Sequence, residues 1–436
     1  MVAVERWRWG VVWLLFAATL INYMDRQALA MTQRYLLPEF EPDPALQTAL
    51  YGRIQFAFGV SFALFQLVAG FLVDRYSLRK LYLGAIVVWS AAGVATGFVP
   101  AGAVALLMAC RVVLGVGEAF NWPCAVAGVR KLIPRESRGL ANGIFHSGAS
   151  VGALAMPFLV LLIVDTATGD GWRTVFVAVG VLGFVWVGAW LGFTRGVRAT
   201  ALDGPPMRDG DEPGGPGPTL AAVFGLRTFW VALVTLVCVN ITWHFYNQWF
   251  PRFLTEDVQV SGRAEQWIIA GFYVSADLGS LAFGRLSRTL VRAGYTVERS
   301  RQLVMAGIAL VTLAATAPAC YAFEGDDPRR WACFCVVAAA VMGGFSVAFA
   351  LVQDVAGRHT AQVLGICGCV SWLAISGVTR YVGEYAAPGL YAGLFLAIGC
   401  VPLVAAAVGF AWPRAAPVSP TRQRGEQRFV DGVGGE

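Results

Sequence analysis

"LINYMDRQAL" (residues 20–29) sets two opposite charges, Asp25 and Arg26, side by side in a run almost without charge from Gly10 to Gln33. In water such a pair is ordinary. Near the centre of a membrane helix each charge costs at least a few kcal/mol. A helix that carries both is expected to use them, because burial of an ionisable group in a bilayer marks function more often than packing.

The rest of the chain supports the membrane reading. Of 436 residues, 57% are hydrophobic and 14% charged, and the mean hydropathy is +0.62. Soluble domains carry about 25% charged residues. The formal charge of +6 does not indicate nucleic acid, since the basic residues fall in short clusters between apolar spans. The first apolar span is too long for a cleaved leader, contains Asp25 and Arg26, and has no small-residue cleavage site. The nine cysteines lack the spacing of zinc or redox motifs and read as small buried hydrophobes.

A helix needs about 20 apolar residues to cross roughly 30 Å of hydrocarbon. Twelve spans meet that length: 9–33, 49–73, 80–99, 102–130, 138–163, 172–194, 227–250, 265–287, 301–323, 330–353, 360–385 and 389–412. The expected fold is an all-α integral membrane protein with two six-helix halves, 1–194 and 227–412. A Pro-, Gly- and charge-rich linker (195–226) separates them, and a polar tail (413–436) follows. The halves echo each other: "VSFALFQLVAG" (60–70) and "VSADLGSLAFG" (274–284) share their opening Val-Ser, two leucines in register and the closing Gly. Parallel six-helix repeats point to a carrier with its site between the halves near the midplane.

Orientation follows from the loops. One set carries Arg75, Arg79 and Lys80; Arg130, Lys131, Arg135 and Arg138; and Arg285, Arg288, Arg292, Arg299 and Arg301. The alternate set carries Glu39, Glu41, Asp43, Asp165, Asp170, Glu256, Asp257, Glu324, Asp326 and Asp327. The positive-inside rule places the first set, both termini and the linker in the cytoplasm of a multi-pass protein of the cell's inner (plasma) membrane.

Charged and polar groups inside the spans then define the expected site. On the fourth span Arg111 and Glu118 stand seven residues apart, about two turns, and share a face. On the first, Thr19, Asn22 and Arg26 form a stripe flanked by Asp25. Counted from opposite membrane faces, Arg111, Asp25 and Arg26 fall in the outer half and Glu118 nearer the cytoplasm. Two acids and two bases can leave a cation free whenever an acid takes a proton, which is the chemistry of a proton-coupled anion carrier. In the second half Asn240, His244 and Asn247 recur with Trp243, Tyr246 and Trp249 beside them, followed by Tyr273, Ser275 and Asp277, and by Gln353 and Asp354. Amides and rings of this kind suit a hydroxylated ligand; interhelical hydrogen bonding is the plainer reading for each amide. His146 and His244 read as packing residues, Arg380 with Glu384 as a structural pair, and Arg53 as snorkelling outward. The glycines at 115 and 117 allow close helix packing and form no nucleotide motif. No P-loop, metal cluster or nucleophile–base pattern occurs, so no cofactor is expected beyond the proton as coupling ion.

At this point the residues resemble a family. "GFLVDRYSLRK" (70–80) resembles the loop between the second and third helices of the major facilitator superfamily: Gly70, Asp74, Arg75, Arg79 and Lys80 match, and Ser77 replaces the usual Gly. There the loop forms a cytoplasmic charge latch that controls opening. Within that superfamily "NYMDRQAL", "RVVLGVGEAFNWPCA" (111–125) and "IPRESRGLANGIFHSGASVGALAMP" (133–157) are similar to the anion:cation symporters, which include sialin and the vesicular glutamate transporters. "WFPRFL" (249–254) and "ADLGSLAFGRLSR" (276–288) match the bacterial hexuronate and galactonate branch. The resemblance implies a carboxylate anchor at Arg26, proton-linked carboxylates at Asp25 and Glu118, and a partner cation at Arg111. The expected substrate contacts are Arg26, Asn22, Arg111, Trp243, Tyr246, Asn247, Tyr273, Asp277 and Gln353. The expected function is proton-coupled import of a small organic anion, a sugar acid of the hexuronate or aldonate class, by a monomer in the lipid bilayer. The alternatives are an exporter or antiporter of another anionic metabolite or drug, and a non-transporting membrane sensor. No nucleic-acid partner and no enzymatic activity are expected.

Overall fold

The computed structural model describes residues 2–165, 168–195, 202, 220–323, 325–356, 360–387 and 389–411. Most of the linker and the tail expected at 413–436 lie outside these residues. In the first half α1 spans Val2–Phe40, α2 Pro44–Arg75, α3 Leu78–Gly97, α4 Val104–Glu118, α5 Asn121–Leu132, α6 Arg135–Ile163 and α7 Trp172–Phe193. A short helix, α8 (Leu220–Gly225), ends the linker region. In the second half α9 spans Arg227–Arg252, followed by a π-helical turn Phe253–Asp257; α10 spans Arg263–Arg292, α11 Val297–Tyr321, α12 Pro328–Ala356, α13 Thr360–Tyr385, α14 Tyr391–Gly399 and α15 Val401–Ala411.

The helix starts follow from local chemistry. Pro44 at the first turn of α2 needs no hydrogen-bond donor, and Asp43 Oδ1 accepts from the Ala45 N–H at 2.9 Å. Ser77 does the same for α3, its Oγ accepting from the Lys80 N–H at 3.3 Å. The serine that replaces glycine in the loop motif is thus a helix cap. No Cβ placed on Gly70 would meet anything within 4 Å, so close packing does not explain the glycine there in this conformation. The Asp74 side chain lies outside the described residues. Arg79 Nε donates to Thr194 Oγ1 at 2.9 Å, tying the loop to the end of α7.

Among the described residues, eleven helical segments are long and apolar enough to cross a membrane. Only α1 of the twelve expected spans falls short of that hydropathy. Thr19, Asn22, Asp25, Gln27, Thr32 and Gln33 are all buried within it, so its polar groups face protein rather than lipid. The expected fourth span is one membrane crossing, Val104–Leu132, but not one helix. α4 ends at Glu118, and a turn at Ala119–Phe120 leads into α5. Asn121 braces the break: its Nδ2 donates to Thr19 Oγ1 at 3.2 Å, and its Oδ1 accepts from the Tyr82 hydroxyl at 2.7 Å.

The halves meet along α2 and α13, along α6 and α10, and where α1 faces α9. At the end bearing the acidic loops the approach of α2 to α13 is backbone on backbone. A Cβ on Gly52 would lie 2.7 Å from the Gly383 Cα, and one on Gly383 would lie 2.7 Å from the Gly52 Cα. Arg34 of α1 pairs with Glu265 of α10 at 3.5 Å nearby, and Phe158 of α6 meets Trp267 of α10 edge to face.

The contact between two glycines leaves no side chain free to move aside. Gly52→Val is therefore expected to destabilise this closed arrangement by about 1–3 kcal/mol, the usual cost of overpacking. Hydrogen exchange in the outer turns of α2 and α13 should speed up relative to wild type. Unchanged exchange would mean that the seam yields elsewhere.

Candidate functional site

A cavity lies between the halves at mid-depth. Tyr23, Arg26, Gln27 and Ala30 of α1 line it with Gln55 and Phe58 of α2 and Arg111 of α4. The other half adds Trp243, His244, Asn247 and Gln248 of α9 and Trp372 of α13. The free volume is about 20 Å³, room for about one water. A six-carbon acid enters such a space only when the halves part.

Helix geometry explains which residues arrive there. At 100° per residue, Tyr23, Arg26, Gln27 and Ala30 make one stripe of α1, and Asp25 sits about 150° round from its centre. Asp25 faces instead the α3 side of the first half: a Cβ on Gly93 would lie 3.1 Å from its Oδ1. It is 1% exposed, and its Oδ2 has no hydrogen-bond partner among the described residues. No ion pair joins it to Arg111 among the described residues.

Arg26 is the centre of the cavity wall. Its Nε donates to Glu118 Oε2 at 2.6 Å. Its guanidinium carbon lies 4.4 Å from the Phe62 ring centroid, 5.2 Å from Tyr23, 5.3 Å from Trp372 and 5.8 Å from Phe58. The rings attract the cation through their negative faces, an effect that strengthens where water is excluded. The Nη2 nitrogen is buried without a hydrogen-bond partner among the described residues. Counting from opposite membrane faces placed Glu118 well inward of Arg26. The two touch because α1 side chains lean toward the helix N-terminus, so Arg26 reaches down to it. Arg111 lines the same cavity, packs over the Phe176 ring at 5.1 Å, and keeps Nε and Nη2 unpartnered.

Above the cavity two hydrogen-bonded groups join the halves. Gln27 Nε2 donates to Asn247 Oδ1 at 2.7 Å, and the Tyr273 hydroxyl donates to Gln27 Oε1 at 2.9 Å. The Tyr51 hydroxyl donates to the Gln248 carbonyl at 2.9 Å and accepts from Gln55 Nε2 at 2.9 Å; Thr379 Oγ1 donates to Gln248 Oε1 at 3.0 Å. Trp243 stacks on Phe272 with centroids 5.7 Å apart, which fixes its ring against the cavity.

Several expected contacts lie elsewhere. Tyr246 sits about 130° round α9 from the centre of the cavity stripe. Its hydroxyl bonds to Thr316 Oγ1 at 2.7 Å and donates to the Phe395 carbonyl at 3.1 Å, inside the second half. Asn22 is fully buried on the first-half side of α1 and does not line the cavity. Tyr273 stands behind the lining, its hydroxyl on Gln27 and its ring edge to face with Trp243 at 6.2 Å. Asp277 is half-buried and held by a hydrogen bond from Ser150 of α6. The Gln353 side chain, like that of Asp354, lies outside the described residues.

The cavity residues not expected from sequence are Tyr23, Gln27, Ala30, Gln55, Phe58, His244, Gln248 and Trp372. Gln55 carried a signal, as one of two amides, with Gln66, in the apolar span 49–73. His244 lies 4.5 Å from the Trp372 ring, centroid to centroid, and His146 is packed among Trp122, Phe145 and Phe349. Arg380 and Glu384 do form an ion pair, and Arg53 is exposed. No group of three or more metal-binding side chains occurs among the described residues.

Comparison with known proteins agrees with this architecture. The chain is 27% identical over 401 residues to a D-galactonate transporter of Escherichia coli O6:H1, covering 87% of this chain and 90% of that one. It is 25% identical to a probable sulfoacetate transporter of Cupriavidus necator, covering 97% of each. It is 24% identical to a hexuronate transporter of Bacillus subtilis, covering 89% of this chain and 90% of that one. Among solved structures, a bacterial homolog of the human lysosomal transporter Spinster superposes with a TM-score of 0.74 at 19% identity, covering 94% of this chain and 99% of that one. A D-xylose-proton symporter superposes at 0.71 and 14%, covering 92% and 97%. The profile of the Major Facilitator Superfamily matches residues 15–379, and with its two bundles of membrane helices the chain belongs to that family of transporters.

Proposed function

We propose that the protein is a proton-coupled symporter that imports a small organic anion of the sugar-acid class by alternating access. The observation that carries this reading is the Arg26–Glu118 bond on the cavity wall. An ionised Glu118 competes with a substrate carboxylate for the same guanidinium. Protonation of Glu118 ends that competition and frees Arg26, so proton and anion favour each other's binding. The free N–H groups of Arg26 and Arg111, the amides of Gln27, Gln55 and Asn247, and the rings of Trp243 and Trp372 suit a carboxylate carrying hydroxyls. The relatives are a D-galactonate transporter, a hexuronate transporter and a probable sulfoacetate transporter, which supports an organic anion. Asp25, away from the cavity, is assigned a second proton. Placed by the positive-inside rule, the basic loops and both termini face the cytoplasm of the plasma membrane. Asp74, Arg75, Arg79 and Lys80 then act there as a latch that biases which state is populated.

A closed buried pair explains why Lys is a poor substitute at position 26. A guanidinium grips a carboxylate through two parallel hydrogen bonds, and an ammonium cannot. Arg26→Lys is expected to lose about 1.5–3 kcal/mol of substrate binding, the scale of a charge-assisted hydrogen bond. By calorimetry that is a roughly 10- to 150-fold weaker Kd. Wild-type affinity would remove Arg26 from the site.

The direct test of the reading is uptake of labelled galactonate or glucuronate into proteoliposomes with pH gradient and voltage set independently. Wild type should concentrate substrate when the outside is acid. Glu118→Gln copies the protonated acid and cannot release a proton; it should still exchange labelled for unlabelled substrate but fail to accumulate it. If it accumulates substrate as wild type does, Glu118 is not a coupling site. Two protons with a monoanion would move one net charge, worth about 2.3 kcal/mol per 100 mV, so uptake should also respond to voltage.

A further inference from the structure

Asn22 is fully buried, and neither its Oδ1 nor its Nδ2 has a hydrogen-bond partner among the described residues. Buried amides almost always have partners, so this one needs an explanation. Its position supplies one. The face of α1 that carries Thr19, Asn22 and Arg26 lies against the fourth span. Thr19 bonds to Asn121 at its lower end, and Arg26 bonds to Glu118 at its upper end. Asn22 stands three residues above Thr19, and Glu118 stands three residues above Asn121 in the antiparallel span. On that face Asn22 lies between Thr19 and Arg26, so its amide stands between the points where α1 bonds to Asn121 and to Glu118. Glu118 Oε1, the oxygen that Arg26 does not hold, is likewise buried and unpartnered.

We propose that Asn22 is a positioning residue for the protonated state of Glu118: once the acid takes a proton and Arg26 departs to the substrate, its O–H donates to Asn22 Oδ1. The inference deepens the proton-coupled reading and rests on it for its use in transport. The carboxylic acid is neutral but needs an acceptor in a water-poor seam. Asn22 provides that acceptor without a charge. The other titratable or charged groups around Glu118 are Tyr23, Asp25 and Arg26 of α1, Arg111 of α4 and, through Arg111, Tyr51 of α2. Tyr82 of α3 lies behind Asn121, Cys124 lies on α5, and His244 of α9 faces Arg26. Of these, Arg26 bonds to Glu118 directly, and it is the group that leaves.

The test reads the proton itself. In pH-difference infrared spectra of the purified full-length protein, the carboxylic-acid C=O band that disappears in Glu118→Gln belongs to Glu118. In Asn22→Leu, which keeps the volume and removes the acceptor, that band should move to the higher frequency of an acid without a hydrogen bond. Its midpoint should shift to acid by about one pH unit. Asn22→Thr, which keeps an acceptor, should recover most of both changes, and Asn22→Ala replaces Asn22→Leu if the latter does not fold. An unchanged band and midpoint in a folded Asn22→Leu or Asn22→Ala overturns the proposal, and so does the absence of any Glu118 acid band in wild type. A loss of substrate affinity with no spectral change would return Asn22 to the substrate and also overturn it. Failure of the transport reading is distinct: wild type would then show no gradient-driven uptake, while the band would still report on Asn22.

Discussion

A guanidinium buried among four aromatic rings and tied to one carboxylate is the constraint on which the rest of this structure depends. Removing two charges from water is expensive, and their attraction offsets that cost only with good geometry and further hydrogen bonds. Arg26 and Glu118 have the short contact, and the rings of Tyr23, Phe58, Phe62 and Trp372 supply much of the remainder. The pair is nonetheless left incomplete, with Arg26 Nη2 and Glu118 Oε1 both unpartnered. A fully satisfied pair would be structural cement. An unfinished one can be exchanged for another partner at modest cost, as a carrier requires.

The helices around the pair are shaped to keep it. α1 sacrifices hydropathy to bring Arg26 and Gln27 to the cavity, and packing against α6 and α7 shields its polar groups from lipid. The fourth span breaks directly after Glu118, and Asn121 holds the broken ends to α1 and α3. The acid therefore sits at the end of a helix rather than in its middle. Among the described residues the second half contributes no Asp, Glu, Lys or Arg to the cavity wall. Its part is rings and amides, and its bonds to the first half, Gln27 with Asn247 and Tyr51 with Gln248, lie over the cavity like a lid.

How far the sequence revealed this can be argued from single residues. The spans were legible because lipid demands a long apolar run for every crossing. Arg26, Arg111 and Glu118 were legible because a charge in such a run is conspicuous. The contact between Arg26 and Glu118 was not, since counting rises gives the height of a Cα and not the reach of a long side chain. Trp243 and Asn247 line the cavity, and Tyr246 on the same helix does not. Periodicity shows which residues share a face of α9, but packing against Phe334 and Phe395 decides which face turns inward. Trp372 gave no local signal at all: its role arises from α13 crossing α2, a contact between distant parts of the chain. Asn22 looked like a ligand because it is polar, although the 90° that separates it from the cavity stripe is implicit in its number.

The meeting of Gly52 with Gly383 has a consequence for how the molecule moves. Two bare backbones have no rotamers to arrange, so forming that contact costs none of the side-chain ordering that a Leu or Met interface would demand each time. Dispersion between them also weakens steeply, a gap of about an ångström forfeiting roughly half of it. The seam therefore has little middle ground: it is either made or absent. A carrier that must never leave both doors ajar gains from a catch of this kind, because half-open forms of that end find no energy minimum in which to rest.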